Sequence, residues 1–229
     1  MQPQEFNRLM EASAELAELL PNGLVYIGGI AVYMHAINHA KTQEMAETTH
    51  DADLYISLVD LTDLREIEEL TSNRRLGKHQ LIKKGFEFDV YAERQSNLQV
   101  PYDEVAAHSV VFEPFRVASI EHLLVLKMAA YLDRKGSVKG EKDARDILRL
   151  AAICQATDHA FRPSLVLPYW GDDEMEVLAQ VAKGPASASL SKGNAQQAKA
   201  IRGALTSIIA SLKSGQDPTP APQPRRHTP

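Results

Sequence analysis

Apolar positions recur at helical spacing over residues 5–20, where Phe6, Leu9, Met10, Leu16, Leu19 and Leu20 alternate with polar residues. The pattern predicts an amphipathic helix, stopped by Pro21-Asn22-Gly23. Leu24-Val25-Tyr26-Ile27 is a short continuous apolar run, as expected of a strand buried on both faces. Gly28-Gly29 follows, then a predicted helix over Ile30–Ala40 and a polar loop over 41–50. From Ala52 to Leu58 the period becomes two: Ala52, Leu54, Ile56 and Leu58 share one face, and Asp51, Asp53, Tyr55 and Ser57 the other. A helix is expected over 60–71. His79–Lys83 and Phe86–Tyr91 flank Lys84-Gly85 as a hairpin, with Phe86, Phe88 and Val90 on one face and Glu87, Asp89 and Tyr91 opposite. One more extended stretch, Ser109–Phe112, precedes Pro114.

Beyond it the pattern turns helical. Ser119 is placed to cap a helix over 120–134, a loop around Gly136–Gly140 leads to another over 141–155, and later helices are expected near 172–183 and 194–213. The fold class is therefore α+β: a small mixed sheet in an N-terminal unit over 1–118, followed by a helical unit over 119–213. The last stretch, 214–229, has five prolines in its final 12 residues and reads as a disordered tail. There is no internal repeat.

Composition narrows the field. The 229 residues are 44% hydrophobic and 24% charged, which is ordinary for a globular protein. With 25 lysines and arginines against 30 acidic residues, the net charge of −5 argues against a general nucleic-acid coat while leaving room for a local basic patch, such as 116–149. A single cysteine, Cys154, excludes an internal disulfide and a cysteine-cluster metal site. No apolar run is long enough to span a membrane, and the first residues lack the features of a signal peptide. The expected location is the cytoplasm.

The candidate chemistry lies in the acids. Asp51 and Asp53 leave one face of one strand, and Asp89 projects from the polar face of another. If the strands are neighbours, three carboxylates converge, an arrangement that like-charge repulsion disfavours unless a cation compensates it. Magnesium takes oxygen ligands and keeps phosphate oxygens in its shell, so such a cluster suits phosphoryl or nucleotidyl transfer. Gly28-Gly29, between a strand and a helix N-terminus, would let a phosphate approach the backbone. The pair matches neither a dinucleotide fingerprint nor a P-loop. Each element has a plainer reading: Asp-x-Asp is common on solvent-facing strands, Gly-Gly is often only a turn, and a lone Asp is simply solvated. Their order along the chain shifts the weight toward a site.

In this order the chain resembles the nucleotidyltransferase superfamily of the polymerase-beta-like fold, whose signature is a glycine pair, a helix, an Asp-x-Asp strand and a later aspartate. Here these are Gly28-Gly29, Asp51-Ala52-Asp53 and Asp89. More narrowly it resembles the AbiEii-type toxins of bacterial toxin–antitoxin pairs, through Thr49, through Lys127 on the helix Leu123–Ala130, and through Lys142-Asp143-Ala144-Arg145-Asp146. It departs from that pattern at Glu47 and Gly140, where arginines are usual, and in the 21 residues between Gly29 and Asp51. The resemblance, spanning roughly 20–155, implies magnesium, with manganese as the alternative ion, on Asp51, Asp53 and Asp89. It implies a nucleoside triphosphate contacted by Gly28, Gly29, Thr49, Lys127 and Arg134, and Asp146 or Asp143 as an acid orienting Lys127 or the acceptor. The implied acceptor is an RNA or tRNA end or a protein hydroxyl, and an antitoxin is the implied partner protein. A small-molecule nucleotidyltransferase of aminoglycoside type and a non-catalytic protein of the same fold are the rivals. The residues also admit plainer roles: Lys127 as a snorkelling lysine, Glu141, Asp143 and Asp146 as acids at a helix start, and Lys142 paired with Asp146. His35 and His39 have zinc-compatible spacing but no third ligand, His50 reads as a loop residue, and Cys154 as a buried, inert thiol.

Overall fold

The computed structural model describes residues 2–218. The first helix, α1 (Pro3–Leu19), buries Phe6, Leu9, Ala12, Ser13, Leu16 and Ala17. Alanines share its inward stripe, whereas Leu19 is half exposed. Strand β1 (Leu24–Ile27) is buried at every position, and α2 (Gly28–Ile37) begins directly at its end. Then come β2 (Ala52–Ile56), α3 (Leu58–Ile67), β3 (Leu70–Asn73), β4 (Lys78–Lys83), β5 (Phe86–Ala92), α4 (Tyr102–Ala107), β6 (Val110–Phe112) and β7 (Phe115–Val117). The helical half comprises α5 (Ile120–Asp133), α6 (Val138–Ala156), α7 (Asp172–Lys183), α8 (Ala186–Leu190) and α9 (Ala195–Ser214).

The seven strands form one sheet in the order β3-β4-β5-β2-β1-β7-β6. β2 runs parallel to β5 and β1 to β7, and the remaining pairs are antiparallel. The β4–β5 hairpin turns through Lys84 (φ 52°) and Gly85 (φ 82°), two successive left-handed residues that suit the twist of a two-residue hairpin.

Several elements differ from the sequence expectation. Leu58 leaves the alternating strand and opens α3, because the Ser57 hydroxyl accepts from the Asp60 amide as an N-cap. β3 is a polar edge strand, the short α4 follows Pro101, and the single extended stretch near 110 is the β6–β7 hairpin. Arg116 staples that hairpin, donating to the carbonyls of Asn22 (2.6 Å) and Ala106 (2.9 Å) and to Ser109 Oγ (2.6 Å). Its guanidinium thus has a structural role in holding the hairpin to the rest of the sheet domain. α6 starts at Val138 with Ser137 as its cap, so Gly140 lies inside the helix. A side chain there would collide with the Arg134 carbonyl.

One cluster of buried side chains runs from Phe6 to Leu212 and crosses position 118. The disordered tail expected from 214 falls mainly outside the described residues. At its start, Ser214 belongs to α9, and Asp217 accepts from the Ser164 amide at 3.0 Å and hydroxyl at 2.6 Å. Among the described residues, no helix is long and apolar enough to cross a membrane.

Candidate functional site

The parallel pairing of β2 with β5 sets Asp53 directly opposite Asp89, and the antiparallel pairing with β1 sets Asp53 opposite Ile27. Asp53 is therefore flanked by Asp89 on one side and by the β1–α2 junction on the other. Gly28 at that junction has φ +70°, and a Cβ there would collide with the Asp53 carboxylate. A Cβ on Gly29 would stand 2.8 Å from Thr49 Oγ1. The two glycines thus let the start of α2 close over the acidic strand, leaving its amides beside the carboxylates. Gly28→Ala combines a left-handed Cβ, costing about 1–2 kcal/mol, with a displaced Asp53. We expect Gly28→Ala to lower the melting temperature by several degrees, and a variant as stable as the wild type would contradict the placement.

Asp51, exposed ahead of β2, accepts from Thr49 Oγ1 at 2.8 Å, and Lys142 Nζ donates to the same Thr49 oxygen at 3.1 Å. Lys142 therefore reaches the acidic loop instead of making the expected pair with Asp146. Partial desolvation of its carboxyl by the neighbouring chain would alone raise the Asp51 pKa, but the Thr49 bond and the charges of Lys142 and Lys139 hold it below the ordinary value. Asp53 behaves in the opposite sense. Burial, then the charge of Asp51, then that of Asp89 push it up to about 6, against the pull of Lys127 and Lys78. Asp89 is ion-paired through Oδ2 with Lys78, and its buried Oδ1 has no hydrogen-bond partner. Tyr91, two residues on, has its phenol pKa raised by burial and by the charges of Asp53 and Asp89.

Lys127 neither snorkels nor faces solvent. It is 7% exposed, with Nζ 2.7 Å from Asp146 Oδ2 and 3.5 Å from Asp143 Oδ1. The nearer contact is off the hydrogen-bonding direction at Oδ2, so it is an ion pair. Burial alone would lower the Lys127 pKa, but Asp146 and Asp143 outweigh it and raise the value. Arg134 forks onto Asp143 at 2.6 and 3.2 Å, and Arg149 joins Asp146 to Glu47. Arg134, Asp143, Lys127, Asp146, Arg149 and Glu47 thus form an alternating, net-neutral chain of charges across α5 and α6. Glu47 also faces Arg145 at 3.7 Å, so the loop before Asp51 is tied to α6 and the sequence departure at 47 has local partners.

The donor set suits a hard divalent ion: three carboxylates, one with a buried unpartnered oxygen and one driven toward protonation by its neighbours. Among the described residues, no three acidic, imidazole or thiol groups already stand in a ligating arrangement. Magnesium, however, normally uses only one or two carboxylates besides water and substrate phosphate. Lys78, Tyr91 and Lys142 were not singled out as site residues by the sequence. The alternation that exposed Asp89 put Tyr91 on the same face and was the signal for it. Lys78 sits on a strand whose pairing with β5 had to be known first.

The remaining candidates lie elsewhere. His35 Nε2 is 2.8 Å from the Ala118 carbonyl, a core hydrogen bond, and His50 is exposed. The buried Cys154 thiol is pushed up to about 12 by its surroundings and by Glu121.

No protein-family profile matches the chain, and no curated protein matches it in sequence. Solved structures do. The chain is similar to JHP933 from Helicobacter pylori with TM-score 0.52 and 16% identity, over 93% of this chain and 95% of that one. It is also similar to an H. pylori structure provisionally described as a nucleotidyltransferase, with TM-score 0.51 and 14% identity, over 94% and 99% of the two chains. At these identities the likeness is one of architecture, and it extends over almost the whole length: the chain shares the fold of these two proteins.

Proposed function

We propose that the protein is a metal-dependent nucleotidyltransferase that moves a nucleoside monophosphate from a nucleoside triphosphate to an acceptor hydroxyl. The observation that carries this reading is the register that seats Asp53 against Asp89 with the Gly28-Gly29 opening of α2 beside them. Asp51, Asp53 and Asp89 would hold magnesium or manganese. Bound there, the ion supplies charge stabilisation at the phosphate and relieves the mutual repulsion of the carboxylates. The α2 amides at Gly28 and Gly29 receive the triphosphate at the positive end of the helix. Arg134, partly open to solvent, adds positive charge near Asp53. Lys127, enclosed by two aspartates, acts from behind, fixing α5 against α6 and lending its charge to Asp53. Asp89 would take the acceptor's proton once ion and substrate displace Lys78 from it. The acceptor oxygen bonds to the α-phosphorus, the bond to the β-phosphate breaks, and pyrophosphate leaves.

The narrower reading, an AbiEii-type toxin acting on an RNA or tRNA end or a protein, is supported by Thr49, which bonds Asp51, and by Lys127, which Asp143 and Asp146 hold and whose charge acts on Asp53. An antitoxin would then be its partner. Incubation with labelled nucleoside triphosphates, magnesium, total RNA and lysate tests it: label on RNA or protein identifies the acceptor, and Asp51→Asn should abolish the labelling. Toxicity on expression, absent in Asp51→Asn, tests the toxin role. A second reading, a non-catalytic protein of this fold, is favoured by the Lys78 ion pair on Asp89. It predicts no label on any acceptor.

A further inference from the structure

Across the sheet the site has a direction. Gly28 follows β1, Asp53 lies on β2 and Asp89 on β5. On the far side, away from the glycines, come β4 and β3. There, between α3 and the β3–β4 turn, is a cavity of about 260 Å³ lined by Arg65, Asn73, Arg74, Lys78, His79 and Gln95 among others, with no aspartate or glutamate in its wall. In a chain with more acids than bases this is an unusual concentration of one sign. Among the described residues, neither Arg65 nor Arg74 lies within ion-pairing distance of a carboxylate. Arg65 Nη2 is instead 3.5 Å from Nε2 of the buried His79. Lys78 belongs to both places: it lines this cavity, and its ammonium is paired with Asp89.

We propose that this cavity binds a backbone phosphate of a nucleic-acid acceptor strand. The inference rests on the transfer reading above and specifies its acceptor. Guanidinium groups with unfilled forks match phosphate oxygens, and an acid-free concave wall concentrates the attraction. Neighbouring strands are about 4.8 Å apart, so β3 and β4 lie within about 5–10 Å of Asp89. A chain whose end hydroxyl reaches Asp89 from the side opposite the triphosphate cradle would carry its next phosphates across this span. A polycationic small acceptor would be repelled here, and a protein hydroxyl brings no phosphate to fill the cavity.

The test is direct binding, measured by fluorescence anisotropy with a labelled RNA hairpin ending in a single strand, across a salt series. A fluorescent nucleoside triphosphate is the second ligand. Arg74→Glu and Arg65→Glu, both at exposed positions, should each weaken RNA binding at least tenfold. They should reduce the slope of log affinity against log salt by about one. Triphosphate affinity and melting temperature should stay unchanged, and Lys199→Glu, an exposed cation on α9, should leave RNA binding within twofold. Unchanged RNA binding in both pocket variants overturns the proposal, as does an equal loss for the triphosphate, which would make the cavity a nucleotide site. Binding is read without turnover. A protein that transfers nucleotide but binds RNA independently of Arg65 and Arg74 sinks only the pocket. A protein that fails to transfer but binds RNA through them sinks only the transferase reading.

Discussion

Asp53→Asn is expected to abolish nucleotidyl transfer, by at least about a thousandfold, and at the same time to make the metal-free protein more stable at neutral pH. Both follow from the same surroundings. Burial and the charges of Asp51 and Asp89 push the Asp53 carboxyl from 3.8 to about 6. A raised acid binds more protons folded than unfolded between these values. Stability therefore falls as pH rises from about 4 to 6, and the deficit is complete above that range. Two pH units correspond to on the order of 3 kcal/mol. Asparagine removes the deficit while keeping the shape. Urea unfolding with EDTA should show the variant more stable at pH 8 by on the order of 2–3 kcal/mol, with the gain shrinking toward zero at pH 4. Added magnesium should raise the melting temperature of the wild type and not of the variant. Equal gains at both pH values, or destabilisation at pH 8, would contradict the repulsion argument. A variant that keeps its activity would contradict the site.

Lys127→Met carries the second large effect. The charge chain from Arg134 to Glu47 is balanced, and removing its central cation leaves a net negative charge between α5 and α6. Breaking a buried pair typically costs 3–5 kcal/mol. Here Asp143 keeps Arg134 and Asp146 keeps Arg149, so a loss near the lower end, about 3 kcal/mol, is expected, along with at least a hundredfold loss of transfer. Adding Asp146→Asn to Lys127→Met should recover part of the stability and none of the activity. Full stability and activity in the single variant would show that the lysine is a dispensable filler.

Sequence legibility followed the reach of each signal. The apolar run Leu24–Ile27, the turn at Lys84-Gly85 and the cap at Ser119 are local, and each appears where the pattern puts it. Asp53 and Asp89 could be placed on polar strand faces, but their adjacency depends on β2 pairing with β5 across an intervening helix and hairpin, a non-local choice. β3 was hidden because an edge strand of Leu-Thr-Ser-Asn has no apolar face, and the β6–β7 hairpin because three-residue strands are too short to show a period. Lys127 sat in an apolar helix where snorkelling was the ordinary reading. Only the approach of α6 shows that Asp143 and Asp146 enclose it. Lys78 and the cavity behind it arise wholly from strand order.

Anomalous diffraction from crystals grown with manganese and a non-hydrolysable triphosphate analogue addresses the central claim, that the three aspartates and the glycine opening are one nucleotide-and-metal site. The account predicts a manganese peak within ligating distance of the carboxylates of Asp51 and Asp53, adjoining Asp89, with the triphosphate on the Gly28-Gly29 amides. Saturating manganese that binds elsewhere, leaving these carboxylates unligated and Asp89 still held by Lys78, would contradict it.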